Sequence, residues 1–228
     1  QPWVGGNTVR IIFAFGLIGA LTSPVMSNTA GAAMMLPIAL GVMGVVGGMV
    51  AAQAEGDRDP ERLRFGAALM LVITYGITVG GLLLPIGSPP NLIGRELLET
   101  ETGEPITFFE WFLMALPIVV VMFVAVVVIV LAFNRPEVKE VEGVEEYVRA
   151  ERGKLGRLSR GERNTLLVLA FALIGWFLPG LVGIVAGDDS NAYTQVQEAS
   201  NEGIVAILAA TLLFVLPVDW RKRKFTLN

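Results

Sequence analysis

The chain has 228 residues, 54% hydrophobic and 17% charged, with a net charge of −4 and a mean hydropathy of +0.64; soluble domains carry about a quarter charged residues. It contains no cysteine and no histidine. That excludes thiol nucleophiles, histidine bases, disulfides and the usual zinc ligand sets.

The charge deficit is concentrated. Residues 11–54, 65–94, 112–134, 164–187 and 203–218 carry no charge. A membrane-spanning helix needs roughly 20 apolar residues. The first four stretches are long enough, and the fifth extends to Trp220 at the interface. The expectation is an all-α membrane protein, multi-pass in the cell membrane of a bacterium or archaeon, with the lipid bilayer as its surroundings and no nucleic-acid partner.

Within residues 11–54, the sequence Leu21-Thr22-Ser23-Pro24-Val25-Met26-Ser27-Asn28-Thr29 sets polar and turn-forming residues at the middle of an uncharged stretch. Irregular backbone survives in hydrocarbon only inside protein or against a water-filled cavity. Ala30 to Leu36 resumes a helix, with Ser27, Asn28 or Thr29 as its N-cap. Such a helix start offers free N–H groups and a positive dipole end to an anion. The oxygens of Ser23, Ser27 and Asn28 suit a small cation. An ordinary cap accounts for the same residues if the turn lies outside the membrane.

Residues 65–94 exceed one simple span. Gly80-Gly81, Pro85 and Pro89-Pro90 cannot share one continuous helix, so the helix is expected to break and restart near Asn91. Carbonyls freed at the break can coordinate Na⁺. A polar-tipped hairpin beside a broken helix is the arrangement that secondary transporters use at mid-membrane; the other reading of Ser88-Pro89-Pro90-Asn91 is a turn at the membrane surface.

Basic residues set the sidedness. Arg58, Arg62 and Arg64 lie in the 53–65 loop, eight Lys and Arg residues lie in 134–163, and Arg221 to Lys224 follow the last apolar stretch, whereas 99–106 and 187–202 are acidic loops. Every one of the 17 Lys and Arg residues except Arg95 then falls on the cytoplasmic side. Residues 11–54 start and finish inside, as a hairpin that either spans fully or turns within the membrane. The mixed charges of 134–163 predict an interfacial amphipathic helix.

Together the two motifs resemble the divalent anion:sodium symporter family. Its members show Ser-Asn-Thr followed by a small-residue Ala-Met-Met-Leu-Pro run, here Ser27-Asn28-Thr29 and Ala32 to Pro37. They then show a Gly-Gly broken helix ending in Gly-Ser/Thr-Pro-Pro-Asn, here Gly80-Gly81 through Gly87-Ser88-Pro89-Pro90-Asn91. The chain departs from the family at Leu84-Pro85, where members often carry Gly-Thr, and in holding one Ser-Asn-Thr hairpin where the family has two.

The resemblance implies a sodium site from Ser23, Ser27, Asn28, Gly80 and Gly81, and contacts to a small anionic substrate from Asn28, Thr29, Ser88, Pro89 and Asn91. It also implies sodium as the coupling ion with no further cofactor, a re-entrant hairpin, an elevator movement and a homodimer. On this reading the chain is a fragment, the N-terminal half of an inverted-repeat transporter for a dicarboxylate or sulfate. Residues 1–133 form the transport core, 134–163 a cytoplasmic linker, and 164–228 a helix pair leading into the second repeat. An antiporter of the same superfamily would need an intramembrane carboxylate. An enzyme would need a charged or metal-binding cluster, and the apolar stretches carry neither. A non-transporting structural subunit is the remaining alternative.

Overall fold

The computed structural model describes residues 7–53, 63–141, 156, 158–187, 190–219 and 224–227. The chain is an all-α membrane protein. Among the described residues, Thr8–Val25, Asn28–Ala52, Phe108–Phe133 and Arg160–Ala186 are each long and apolar enough to cross a bilayer. The chain divides into two compact units, residues 1–104 with 111–154, and residues 105–110 with 155–228.

In the first unit, α1 (Thr8–Thr22) is capped by the Asn7 side chain, which accepts from the Val9 and Arg10 N–H groups. A 3-10 turn, Ser23–Val25, ends it, and α2 (Asn28–Val42) restarts behind Ser27, whose hydroxyl accepts from the Ala30 N–H. The helix continues through a π turn, Met43–Gly47, into α3 (Gly48–Gln53). The expected hairpin is therefore present, with Ser27 as the cap.

α4 (Arg64–Gly80) is followed by a turn at residues 81–84 and a 3-10 turn, Pro85–Gly87; α5 (Pro89–Thr102) then begins on its two prolines. α5 extends through part of the expected 99–106 loop and stops at Gly103, whose φ of 75° suits glycine. α6 (Phe108–Phe133) starts from a reciprocal cap in which Glu110 accepts from the Thr107 N–H and Thr107 from the Glu110 N–H. It meets the span expected at 107–133.

Small residues hold the first unit together. A Cβ on Gly80 would lie 2.1 Å from the Ala20 carbonyl oxygen, and one on Gly76 would lie 2.7 Å from that of Gly16. α1 and α4 thus touch backbone to backbone. Residues 16 and 20 face 76 and 80 in turn, so the two helices run parallel. Phe65, Leu69, Val72 and Ile12 are buried beside this seam. Helices in lipid gain little from apolar burial against each other and depend on such close approach.

The second unit packs α7 (Arg160–Ala186) against α9 (Glu202–Val215) through Val168, Ala172, Val205 and Ala209. Phe108 stacks on Trp176 at 5.0 Å between ring centroids, and the Trp176 ring nitrogen donates to the Glu202 carbonyl. The interval 187–202, expected as an acidic loop, contains α8 (Asn191–Ala199), capped by Ser190 and bent 47° from α9. Its polar composition hid a helix that a single serine cap starts.

α9 also stops earlier than expected. Pro217 lacks an N–H and disfavours helical backbone at Leu216, so the chain leaves the helix at Val215. Pro217–Asp219 (β1) then pairs with Lys224–Phe225 (β2). Of the amphipathic helix expected at 134–163, residues 134–141 are extended or bent and not helical, because Glu137 to Lys139 bond to the starts of α4 and α1, and 160–163 open α7; residues 142–155 and 157 lie outside the described residues, as do Arg58, Arg62 and Trp220.

Gly80→Ala tests the seam. Overpacking of this kind costs about 1–3 kcal/mol, so the full-length variant should unfold at a lower temperature in detergent. An unchanged unfolding midpoint would mean that α1 and α4 are not in backbone contact.

Candidate functional site

The two interruptions in the first unit meet. α1 and α4 run side by side and stop at the same level, so the 3-10 turn after α1 touches the turn after α4. The Ser23 hydroxyl, fully buried, donates to Asn28 Oδ1 at 2.9 Å. A Cβ on Gly81 would lie 2.5 Å from Asn28 Oδ1 and 3.2 Å from Ser23 Oγ. Ser23, Asn28 and Gly81 thus form one cluster, and a side chain at residue 81 would have to displace the Asn28 amide from the Ser23 hydroxyl. Gly80 sits one residue back, in contact with Ala20.

Ser27 and Thr29 are exposed, and Asn28 is half-buried between them. Helix geometry leaves the Asn28 and Thr29 N–H groups without an intrahelical acceptor. α2 therefore presents donors and its positive dipole end beside a buried hydroxyl and an amide oxygen, within a stretch that carries no charge.

The second break is organised by Asn91. Its Nδ2 donates to the Gly81 carbonyl at 2.7 Å and to the Leu84 carbonyl at 2.9 Å, while its Oδ1 accepts from the Ser88 hydroxyl at 3.0 Å. Asn91 is 4% exposed. Its amide is committed to the turn, and Ser88 is held by it. Pro89, at the exposed start of α5, has no N–H to give. α5 thus offers a dipole end with fewer donors than α2.

The structure brings Ser23, Asn28 and Gly81 together, with Gly80 behind them and Ser27 and Thr29 at the mouth. Ser88 and Asn91 join through the Gly81 carbonyl. Two supports were missed in the sequence. The Trp111 ring nitrogen donates to the Leu82 carbonyl at 3.1 Å, tying α6 to the turn. The Leu84 carbonyl, beside the Leu84-Pro85 departure, is a partner of Asn91. A tryptophan at the start of a long apolar helix reads as an interfacial anchor, and nothing in its spacing points to a carbonyl 29 residues away.

The donor set suits a small hard cation. Ser23 Oγ, Asn28 Oδ1 and the Gly81 carbonyl are neutral oxygens with lone pairs to spare. No group of three or more acidic residues that could hold a metal ion occurs among the described residues.

Residues 3–225 match the family model described as the sodium:sulfate symporter transmembrane region. The chain is 28% identical to the sodium-dependent dicarboxylate transporter SdcS of Staphylococcus saprophyticus, over 97% of this chain and 43% of that protein. It is 24% identical to SdcS of Staphylococcus aureus strain MW2, over 97% of this chain and 42% of that protein. The chain thus spans less than half the length of these curated relatives.

Asn91→Ala should strip the Gly81 carbonyl of its donor and leave the Leu84 carbonyl with the Gly87 N–H alone. A buried unsatisfied group costs about 1–3 kcal/mol. Asn91→Asp should be at least as damaging, because its carboxylate would face two carbonyl oxygens. Unfolding of both full-length variants in detergent measures this, and parental stability in either would remove Asn91 from its place at the turn.

Proposed function

The chain belongs to the sodium:sulfate symporter family, and on that premise we propose that it forms one half of a secondary transporter that carries a divalent anion, a dicarboxylate or sulfate, together with sodium. The contact of Ser23 and Asn28 with Gly81 carries the reading. Two interrupted helices meet there, inside stretches without charge, and leave neutral oxygens beside a helix N-terminus. Lipid-facing protein has no use for such an arrangement, whereas a cation and an anion travelling together do.

Sodium would be held by Ser23, Asn28 and the carbonyls around Gly80 and Gly81, with Ser27 at the edge. The cation adds its charge beside the start of α2. The anion would then bind Asn28, Thr29 and the free N–H groups of that helix, drawn by the ion and by the dipole. Ser88 and Pro89 would form the opposite wall with the dipole end of α5, and Asn91, its amide held by the turn, would position them. Binding of the two solutes is coupled because each lowers the electrostatic cost of the other.

The same proposal takes residues 1–133 as the moving part in an elevator cycle, the hairpin as re-entrant with its tip at mid-membrane, and a homodimer as the working assembly. A second hairpin from the remainder of the transporter would complete the site. No Asp, Glu or Lys lies in the uncharged stretches, which favours sodium over a proton relay through this half.

Uptake of labelled succinate or sulfate into proteoliposomes by the full-length protein, with and without sodium, tests the reading. Asn28→Ala removes a ligand of both solutes. A hydrogen bond to a charged group is worth about 1.5–3 kcal/mol, which corresponds to a roughly 10- to 100-fold loss of uptake. Unchanged uptake by the folded variant would remove Asn28 from the site, and sodium-independent uptake would end the coupling proposal.

A further inference from the structure

The opposite ends of α1 and α4 are also joined. α4 begins without a local cap, because its N-cap residue is Leu63, which has no side-chain hydrogen bond to give. Glu137, four residues past the end of α6, supplies the acceptor. Its Oε1 takes the Arg64 N–H at 2.6 Å and its Oε2 takes the Phe65 N–H at 3.2 Å. The next two residues grip α1. The buried Thr8 hydroxyl donates to the Val138 carbonyl at 2.7 Å, and the Thr8 N–H donates to the Lys139 carbonyl at 3.1 Å. Val141, just beyond, is 3% exposed.

A strap of three residues therefore holds the first turns of two parallel helices. Their far ends carry Ser23 and Gly81. Between the strap and the site, α1 and α4 meet across glycines, at Gly16, Gly19, Gly76 and Gly80. In this seam Val72 seats against Gly16 and Ile77 against Gly19, so a shift of one helix along its axis is felt along the whole contact. A register set at one end is transmitted by two stiff helices to the other, about 25 Å away for the 17 residues of α4.

We propose that Glu137 is a positioning residue for the sodium site: by clasping α4 while its neighbours clasp α1, it sets the axial register of the two helices and hence the fit of Ser23 and Asn28 against Gly81. The sodium arm of the proposal rests on the transport reading above; the register arm does not. The carboxylate matters because two oxygens meet two successive N–H groups at a helix start, where negative charge is favoured. Gln at this position keeps one acceptor and points its NH₂ group at an N–H, and Ala keeps none.

The test uses the full-length protein in liposomes, as the parent, Glu137→Gln and Glu137→Ala, well below the unfolding temperature of each. Backbone amide exchange is followed at 64–68, at 23–31 and at 77–84, and succinate and sulfate uptake is followed against sodium concentration. A plain helix cap predicts faster exchange at 64–68 alone. The positioning role predicts faster exchange at 23–31 and 77–84 as well, in the order Ala, Gln, parent. If the competent register falls to about a third of the population, the half-saturating sodium concentration rises about threefold, with the maximal rate less affected.

Exchange confined to 64–68, or a sodium dependence equal to that of an active parent, overturns the proposal. A parent that takes up neither anion overturns the transport reading instead, and the exchange pattern then decides the role of Glu137 by itself.

Discussion

A helix that stops inside an apolar segment leaves carbonyls with no water to satisfy them, and that constraint shapes the first unit. α4 ends at Gly80, and the turn that follows exposes the Gly81, Leu82 and Leu84 carbonyls. Asn91 answers two of them with one amide group, and the Trp111 ring nitrogen answers the third. Without these donors the break would cost several kcal/mol, and the segment would be driven to refold as a longer helix or leave the membrane. The interruption that makes a site possible is therefore supported from α5 and α6, outside the turn itself.

The same economy explains the glycines. α1 and α4 come together so closely that Gly80 meets the Ala20 carbonyl and Gly81 meets the Asn28 amide oxygen. This brings the Ser23 turn and the Gly81 turn to one place, so two irregular backbones shelter each other. A side chain at residue 80 would separate them, and one at residue 81 would push the Asn28 amide aside. Polar residues follow the division of labour: Asn91 is spent on the backbone, whereas Asn28 makes one hydrogen bond from Ser23 and keeps capacity beside the free N–H groups of α2.

The second unit meets its constraints by different means. α7 carries a capping box at Ser159 and Glu162, α8 a serine cap, and the start of α6 a reciprocal Thr107–Glu110 pair. Aromatic stacking of Phe108 on Trp176 and the contact of Phe109 with Phe177 fill the space between helices. Asn164, 8% exposed, donates to the Pro217 carbonyl and the Thr226 hydroxyl, which anchors the small β hairpin on α7.

Much of this was legible in the residues. Long uncharged stretches announce membrane helices because charge is expensive in hydrocarbon. Gly-Gly and Pro-Pro announce a break because no helix accommodates them, and Ser-Asn-Thr announces a helix start because those side chains accept from free N–H groups. These are local rules, and they also placed the family motifs. The tertiary structure alone decided what the polar groups touch. Asn91 turned inward to the Gly81 and Leu84 carbonyls, Trp111 reached Leu82, and Glu137 capped a helix that begins 73 residues earlier. The helix at 191–199 and the early stop at Val215 likewise depended on one cap and one proline within otherwise ambiguous stretches. Hydrogen bonds between distant residues leave no period in a sequence, because they are selected by where the packed helices bring donors and acceptors and not by spacing along the chain.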